Sequence, residues 1–300
     1  MDYTLNLSAV DPGDDTITSW TINWGDGTIE TIGNPASVTH VYTNLGFTNN
    51  ILASAVDEDG TYFQNELAVA SSGNDKVNWY DNTGAPRTPA QSGPDAGLDY
   101  PLGLIIGPDG NVYVSGDISN NVVRYNPTTG AFIDEFVTAG SGGLAGAEGM
   151  AFGPDGNLFV SSFSTSEVLR YNGTTGAFID IFVTAGLGGL SDANGLIFGP
   201  DGNLYVGDWA NDTVLRYTGS TGAFIDIFVT AGLGGLEEPE DLVFGPDGNL
   251  YVASTQDHNV VRYNGTTGAF IDVFVAARSG GLRNAVDVEF GPDGNLYVGS

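Results

Sequence analysis

The chain has 300 residues, 41% of them hydrophobic, and carries 8 Lys plus Arg against 37 Asp plus Glu, a formal charge of −29. Such a field repels nucleic acid and anionic membranes and attracts cations, so nucleic-acid binding is excluded. The chain has no Cys, which excludes disulfides and thiolate metal sites, and no apolar run approaches the roughly 18 residues that span a bilayer.

The start, Met1-Asp2-Tyr3-Thr4-Leu5-Asn6, has neither the charged nor the apolar region of a signal peptide. Strong acidity without Cys suits a bacterial exported protein that meets calcium-containing medium. Any targeting segment is therefore expected to be removed or to lie outside this sequence. Over residues 1–66, Tyr3, Leu5, Leu7 and Ala9 alternate with polar residues, as do Ile17 to Trp24 and Ile51 to Val56. This is half-buried strand patterning. Turn chemistry separates the strands at Asp11–Asp15, Trp24-Gly25-Asp26-Gly27 and Asp57-Glu58-Asp59-Gly60, so a small immunoglobulin-like β-sandwich of six short strands is predicted.

The segments Trp24-Gly25-Asp26-Gly27, His40-Val41-Tyr42 and Ala55-Val56-Asp57-Glu58-Asp59-Gly60 resemble the PKD domain of surface and secreted proteins. That family has a further strand before the one at Tyr3. Its absence implies an open sheet edge, to be covered by sequence outside this chain or by a neighbouring molecule.

From residue 67 onward one unit recurs. Phe198-Gly199-Pro200-Asp201-Gly202-Asn203-Leu204-Tyr205-Val206 has close copies at Ile106, Phe152, Phe244 and Phe290, each 46 residues after the last. Each copy reads as a hairpin with Pro and Gly in the turn. In the best copy strands are predicted at Gly195–Phe198, Asn203–Gly207, Thr213–Thr218 and Ala223–Val229. Four strands in about 46 residues is the arithmetic of a β-propeller blade. The unit resembles NHL-type and gluconolactonase-like propellers through Pro-Asp-Gly-Asn-Leu-Tyr-Val and the Val-Leu-Arg-Tyr that follows. Complete copies begin near Leu102, Glu148, Asn194 and Glu240. Leu67–Val69 and Val77–Tyr80 supply part of a divergent copy, and Asp287–Phe290 with Asn295–Gly299 supply two strands of another. Five to six blades are expected, with one strand in surplus if the first and last pieces share a blade.

The turns Gly-Pro-Asp-Gly and Asn172-Gly173-Thr174-Thr175-Gly176 barely change between copies, and blade connectivity places both on one face. The loops Ser115–Asn121, Ser161–Glu167, Gly207–Thr213 and Ala253–Asn259 vary and fall on the opposite face, where a rigid frame acquires binding sites. At the start of the innermost strand, Glu148, Asn194 and Glu240 are equivalent, with Asp241 and Asp287 one place later. In a propeller these side chains converge on the central channel. Two carboxylates about 6 Å apart at an effective dielectric near 20 repel by roughly 3 kcal/mol. Oxygen ligands of this kind suit Ca²⁺ or Mg²⁺; solvated acidic loops are the alternative reading.

Glu148-Gly149 and Asn194-Gly195 are similar to metal-ligand dipeptides of gluconolactonase-like enzymes. With the convergent carboxylates this gives a candidate metal set of Glu148, Asn194, Glu240 and Asp287, and the resemblance implies that Glu240-Asp241 falls where that family places a catalytic Asp. Phe163, Trp209 and the lone loop histidine His258 are the remaining ligand-binding candidates, the aromatics as stacking surfaces for a sugar. Arg170 and Asp180 are predicted to pair across a hairpin.

Three functions follow as expectations. The first is an extracellular or cell-surface structural or adhesive protein, self-associating or binding surface proteins and glycans, with strand donation building a filament. The second is a divalent-metal-dependent lactonase or hydrolase at the channel, and the third a carbohydrate-binding module.

Overall fold

The structure, a computed structural model, describes residues 97–291 and 294–300 and, before them, 2–6, 19–24, 28–33, 35, 37–41, 52–56, 61–62, 67–80 and 85–87. The predicted turns at 11–15, 25–27 and 57–60 lie outside the described residues, as does Tyr42 of the His-Val-Tyr motif. The chain divides into two compact units, residues 1–68 with 79–90, and 69–78 with 91–300.

The first unit holds β1 (Asp2–Asn6), β2 (Ser19–Asn23), β3 (Ile29–Ile32), β4 (Ser37–Val41), β5 (Leu52–Val56) and β6 (Thr61–Tyr62). They form a two-stranded sheet β1-β4 and a four-stranded sheet β3-β2-β5-β6, all antiparallel. The alternation read from the sequence has its physical counterpart in Trp20, Ile22 and Trp24, which are buried together with Leu5, Ile32 and Val38 packed against them. His40 stacks on Trp24 at 4.6 Å between ring centroids. β7 (Leu67–Ser71) and β8 (Lys76–Tyr80) pair as a two-stranded sheet.

The second unit is a β-propeller built from four complete four-stranded blades. Blade one is β9 (Pro101–Ile106), β10 (Val112–Gly116), β11 (Asn121–Tyr125) and β12 (Phe132–Val137); blade two is β13 (Ala147–Phe152), β14 (Leu158–Ser162), β15 (Glu167–Tyr171) and β16 (Phe178–Val183). Blade three is β17 (Ala193–Phe198), β18 (Leu204–Asp208), β19 (Thr213–Tyr217) and β20 (Phe224–Val229); blade four is β21 (Pro239–Phe244), β22 (Leu250–Ser254), β23 (Asn259–Tyr263) and β24 (Phe270–Val275). A last pair, β25 (Asp287–Phe290) and β26 (Leu296–Gly299), repeats the first two strands of a blade.

Blades pack through aromatic triplets. Tyr205 of β18 meets Phe228 of its own blade at 4.9 Å and Phe244 of the next blade at 5.1 Å, both edge to face. The same triplet recurs as Phe159–Phe182–Phe198 and Tyr251–Phe274–Phe290. Large rings therefore fill the wedge between blades, and edge-to-face geometry adds about 1 kcal/mol per pair to the area they bury.

The predicted cross-strand pair is present in every blade. Arg216 lies opposite Asp226 and donates through Nε and Nη2 to its two carboxylate oxygens, at 3.1 and 2.6 Å. Its guanidinium also stands 5.0 Å above the Phe228 ring. Because Asp226 is 45% exposed, solvent screens the ion pair, and stacking on the aromatic wedge is worth as much. Arg216→Ala is expected to cost about 1–2 kcal/mol in urea denaturation, and Arg216→Lys to recover little of it, since an ammonium cannot form the fork.

Candidate functional site

The inner strands are irregular where the sequence placed its candidate residues. In blade two Ala147 pairs with Ser162 and Met150 with Val160, so Glu148 and Gly149 together oppose Ser161 alone. Asn194-Gly195 oppose Gly207 in blade three, and Glu240-Asp241 oppose Ala253 in blade four. Each is a β-bulge, which bends the strand and re-aims the side chains of the doubled residues. Neighbouring bulges come close: a Cβ on Gly149 would lie 2.6 Å from the Asn194 carbonyl oxygen, and one on Gly195 would lie 2.5 Å from that of Glu240. Glycine after the candidate ligand is thus what lets successive inner strands approach.

Glu148, Asn194 and Glu240 lie near one another. Glu148 is 8% and Asn194 4% exposed. Glu240 accepts hydrogen bonds from Thr255 Oγ1 at 3.3 Å and from the Asn194 side chain. Glu148 is less well provided for, because its Oε2 is buried with no hydrogen-bond partner. Burial pushes its pKa up to about 9, helped by the charges of Glu240, Asp117 and Asp192. Burial also raises Glu240, against the two hydrogen bonds that favour its ionised form.

Asp287 is placed differently. It sits with Asp241, and the charges that act on Glu148 do not include it. Asp241 accepts the Val288 N–H at 3.0 Å. Enclosure, followed by the nearby Asp287 charge, drives its pKa well up, and Asp287 is raised in the same direction. These two carboxyls share protons as a pair.

The remaining candidates lie on the loop face. Phe163 and Trp209 begin equivalent 3-10 turns, Phe163–Thr165 and Trp209–Asn211, and their rings meet edge to face at 6.0 Å. His258 adopts φ 56° and its Nδ1 lies 3.1 Å from the Asn284 N–H and 2.9 Å from the Thr255 carbonyl. Asn120 and Asp212, its equivalents, accept the N–H of Gly146 and Glu238 in the same way. The ring nitrogen is thereby committed to the backbone of the link.

Sequence reasoning did not single out Asp117 and Asp192, both neighbours of Glu148 with pKa values raised by burial first. The 46-residue register carried that signal, since Asp117 occupies the position of Phe163 and Trp209. The bulges carried none, because an extra residue in a strand leaves no mark on composition.

Among the described residues no three His, Asp or Glu side chains stand close enough to hold a metal ion by themselves. The donors nonetheless fit a hard cation: two carboxylates and an amide, all oxygen ligands, with one buried carboxylate oxygen left unsatisfied.

A profile of the strictosidine synthase-like, N-terminal family matches residues 228–262. No curated protein sequence matches the chain. Among solved structures, a gluconolactonase from Xanthomonas campestris is similar with a TM-score of 0.60 at 15% identity, covering 79% of this chain and 80% of that one. A second structure, described as a putative gluconolactonase, gives 0.57 at 16% identity over 82% and 80%. Virginiamycin B lyase from Staphylococcus aureus gives 0.56 at 15% identity over 99% and 96%. At these identities the likeness shows the fold, a β-propeller.

Proposed function

We propose that the propeller is a divalent-cation-dependent hydrolase acting on a lactone or related ester at the bulged ends of its inner strands. The observation that carries this reading is Glu148 Oε2, an unsatisfied buried carboxylate oxygen facing the charges of Glu240, Asp117 and Asp192. Buried polar atoms are normally bonded, and an exception of this kind calls for a partner such as an ion or a water. Glu148, Asn194 and Glu240 would hold the cation, which supplies polarisation of a carbonyl oxygen and a more acidic water. Asp241, whose pKa is raised by enclosure and by the nearby Asp287 charge, can hold or release a proton.

The likeness to gluconolactonase and lyase propellers favours this reading over the structural or adhesive one, which rests on the sequence alone. An extracellular bacterial setting is part of the proposal, supported by the acidic, cysteine-free composition. So are a PKD-like sandwich over residues 1–66 and a ring of five to six blades. Their support is the two sheets of the first unit and the two-stranded pieces β7-β8 and β25-β26.

Hydrolysis of a lactone panel, followed by pH-stat with Ca²⁺ or Mg²⁺ and after chelation, tests the activity. Turnover is expected to need the cation and to fall at least 100-fold in Glu148→Ala plus Asn194→Ala. Turnover that survives both chelation and the double substitution would remove the reading.

A further inference from the structure

Four residues stand at one repeated place above the inner-strand bulges. The backbone N–H groups of Asp117, Phe163, Trp209 and Thr255 bond the carbonyls of Tyr100, Gly146, Asp192 and Glu238, at 3.0, 2.8, 3.0 and 3.2 Å. Each acceptor in blades two to four lies two residues before Glu148, Asn194 or Glu240, so these four residues hold equivalent places beside the bulges, and Asp117 among them acts on Glu148. Their chemistry is divided: Asp117 and Thr255 are polar, whereas Phe163 and Trp209, from adjacent blades, join in a half-buried aromatic pair.

Several polar side chains beside that pair are already bonded. Asp208 accepts from the N–H groups of Ser191 and Asp192 and from Asn211 Nδ2. Asn211 Nδ2 also reaches the Gly189 carbonyl, and Ser162 Oγ is taken up by Ala145 and Thr165. Asp208, Asn211, Ser162 and Thr165 therefore bond within their own loops. An interplanar angle of 72° makes the rings a corner and not a flat platform for a pyranose face. Such a corner receives an alkyl chain or the edge of an apolar ring.

We infer that Phe163 and Trp209 form an apolar subsite, and that the substrate is a lactone or ester carrying an alkyl or aryl substituent in place of a polyhydroxylated sugar lactone. This rests on the hydrolase reading for the carbonyl end of the ligand. The substituent lies in the aromatic corner while the carbonyl meets the floor formed by Glu148, Asn194 and Glu240.

Calorimetric binding of γ-valerolactone, γ-decalactone and D-glucono-δ-lactone to the full chain in Ca²⁺ tests the inference, with turnover measured alongside. Each methylene buried adds about fourfold in affinity, so γ-decalactone is expected to bind at least 30-fold more tightly than γ-valerolactone. Trp209→Ala is expected to erase most of that chain-length gain, while Trp209→Phe keeps it. A chain-length preference without turnover would support the subsite and sink the hydrolase reading. Turnover with no chain-length preference, or tighter binding of D-glucono-δ-lactone, would overturn the subsite alone. Binding of none of the three would overturn both.

Discussion

In metal-free solution, stability is expected to fall as pH rises from 5 to 8, and Glu148→Gln to make that fall distinctly shallower. Glu148 titrates near 9 in the folded chain against an ordinary value of 4.5. Between those values the folded state holds a proton that the unfolded state has released. The stabilising contribution is therefore complete below about pH 4.5 and is lost as pH climbs through about 9. One proton sets a limiting slope of about 1.4 kcal/mol per pH unit, or up to about 4 kcal/mol across three units. Asp241, Asp287 and Glu240 are raised in the same direction, so the parent slope exceeds that of one group. Glutamine keeps the shape of the protonated side chain, and its share of the slope disappears. Urea midpoints at pH 5, 6.5 and 8 in chelator measure this directly. Parallel profiles for parent and variant would show that Glu148 ionises freely in the folded chain.

Gly195→Ala is expected to cost about 3 kcal/mol and to separate Asn194 from Glu240. A Cβ at Gly195 would lie 2.5 Å from the Glu240 carbonyl oxygen and 2.8 Å from the Asp241 Cα. Both obstacles are backbone, so relief requires the two inner strands to part, which belongs at the upper end of overpacking costs. The asparagine side chain that bonds Glu240 moves with its strand. Cation affinity should then fall with stability. Gly73→Ala is the control, since nothing lies within 4 Å of its Cβ position, and it should leave both quantities unchanged. Equal stability of the two variants would mean that the inner strands are not held at the spacing described.

The blade was legible because it repeats. Strands predicted at Asn203–Gly207 and Thr213–Thr218 are found at Leu204–Asp208 and Thr213–Tyr217, and the Arg–Asp pairs follow from two-residue alternation across a hairpin. The convergence of Glu148, Asn194 and Glu240 was legible for the same reason, as equivalent positions in a periodic fold must meet near its axis. Two features were not. The bulges that aim these residues inward arise from a mismatch between 147–150 and 160–162, a property of pairing and not of either strand alone. Nor was it legible that the one-place offset of Asp287 would take it to Asp241, because an offset in a strand changes which neighbour a side chain meets. His258 shows the opposite error of emphasis: a lone histidine drew notice, while Asn120 and Asp212 in its register position already pointed to a loop latch.

Calorimetric titration of Ca²⁺ into the metal-free chain at pH 7.5, in two buffers of different ionisation enthalpy, tests the central claim most directly. Cation binding at Glu148 must displace the proton that burial keeps there. The expected result is one site per chain whose observed heat depends on the buffer, and whose affinity and proton release are both lost in Glu148→Ala plus Asn194→Ala. The same affinity and the same buffer-independent heat in parent and double variant would contradict it.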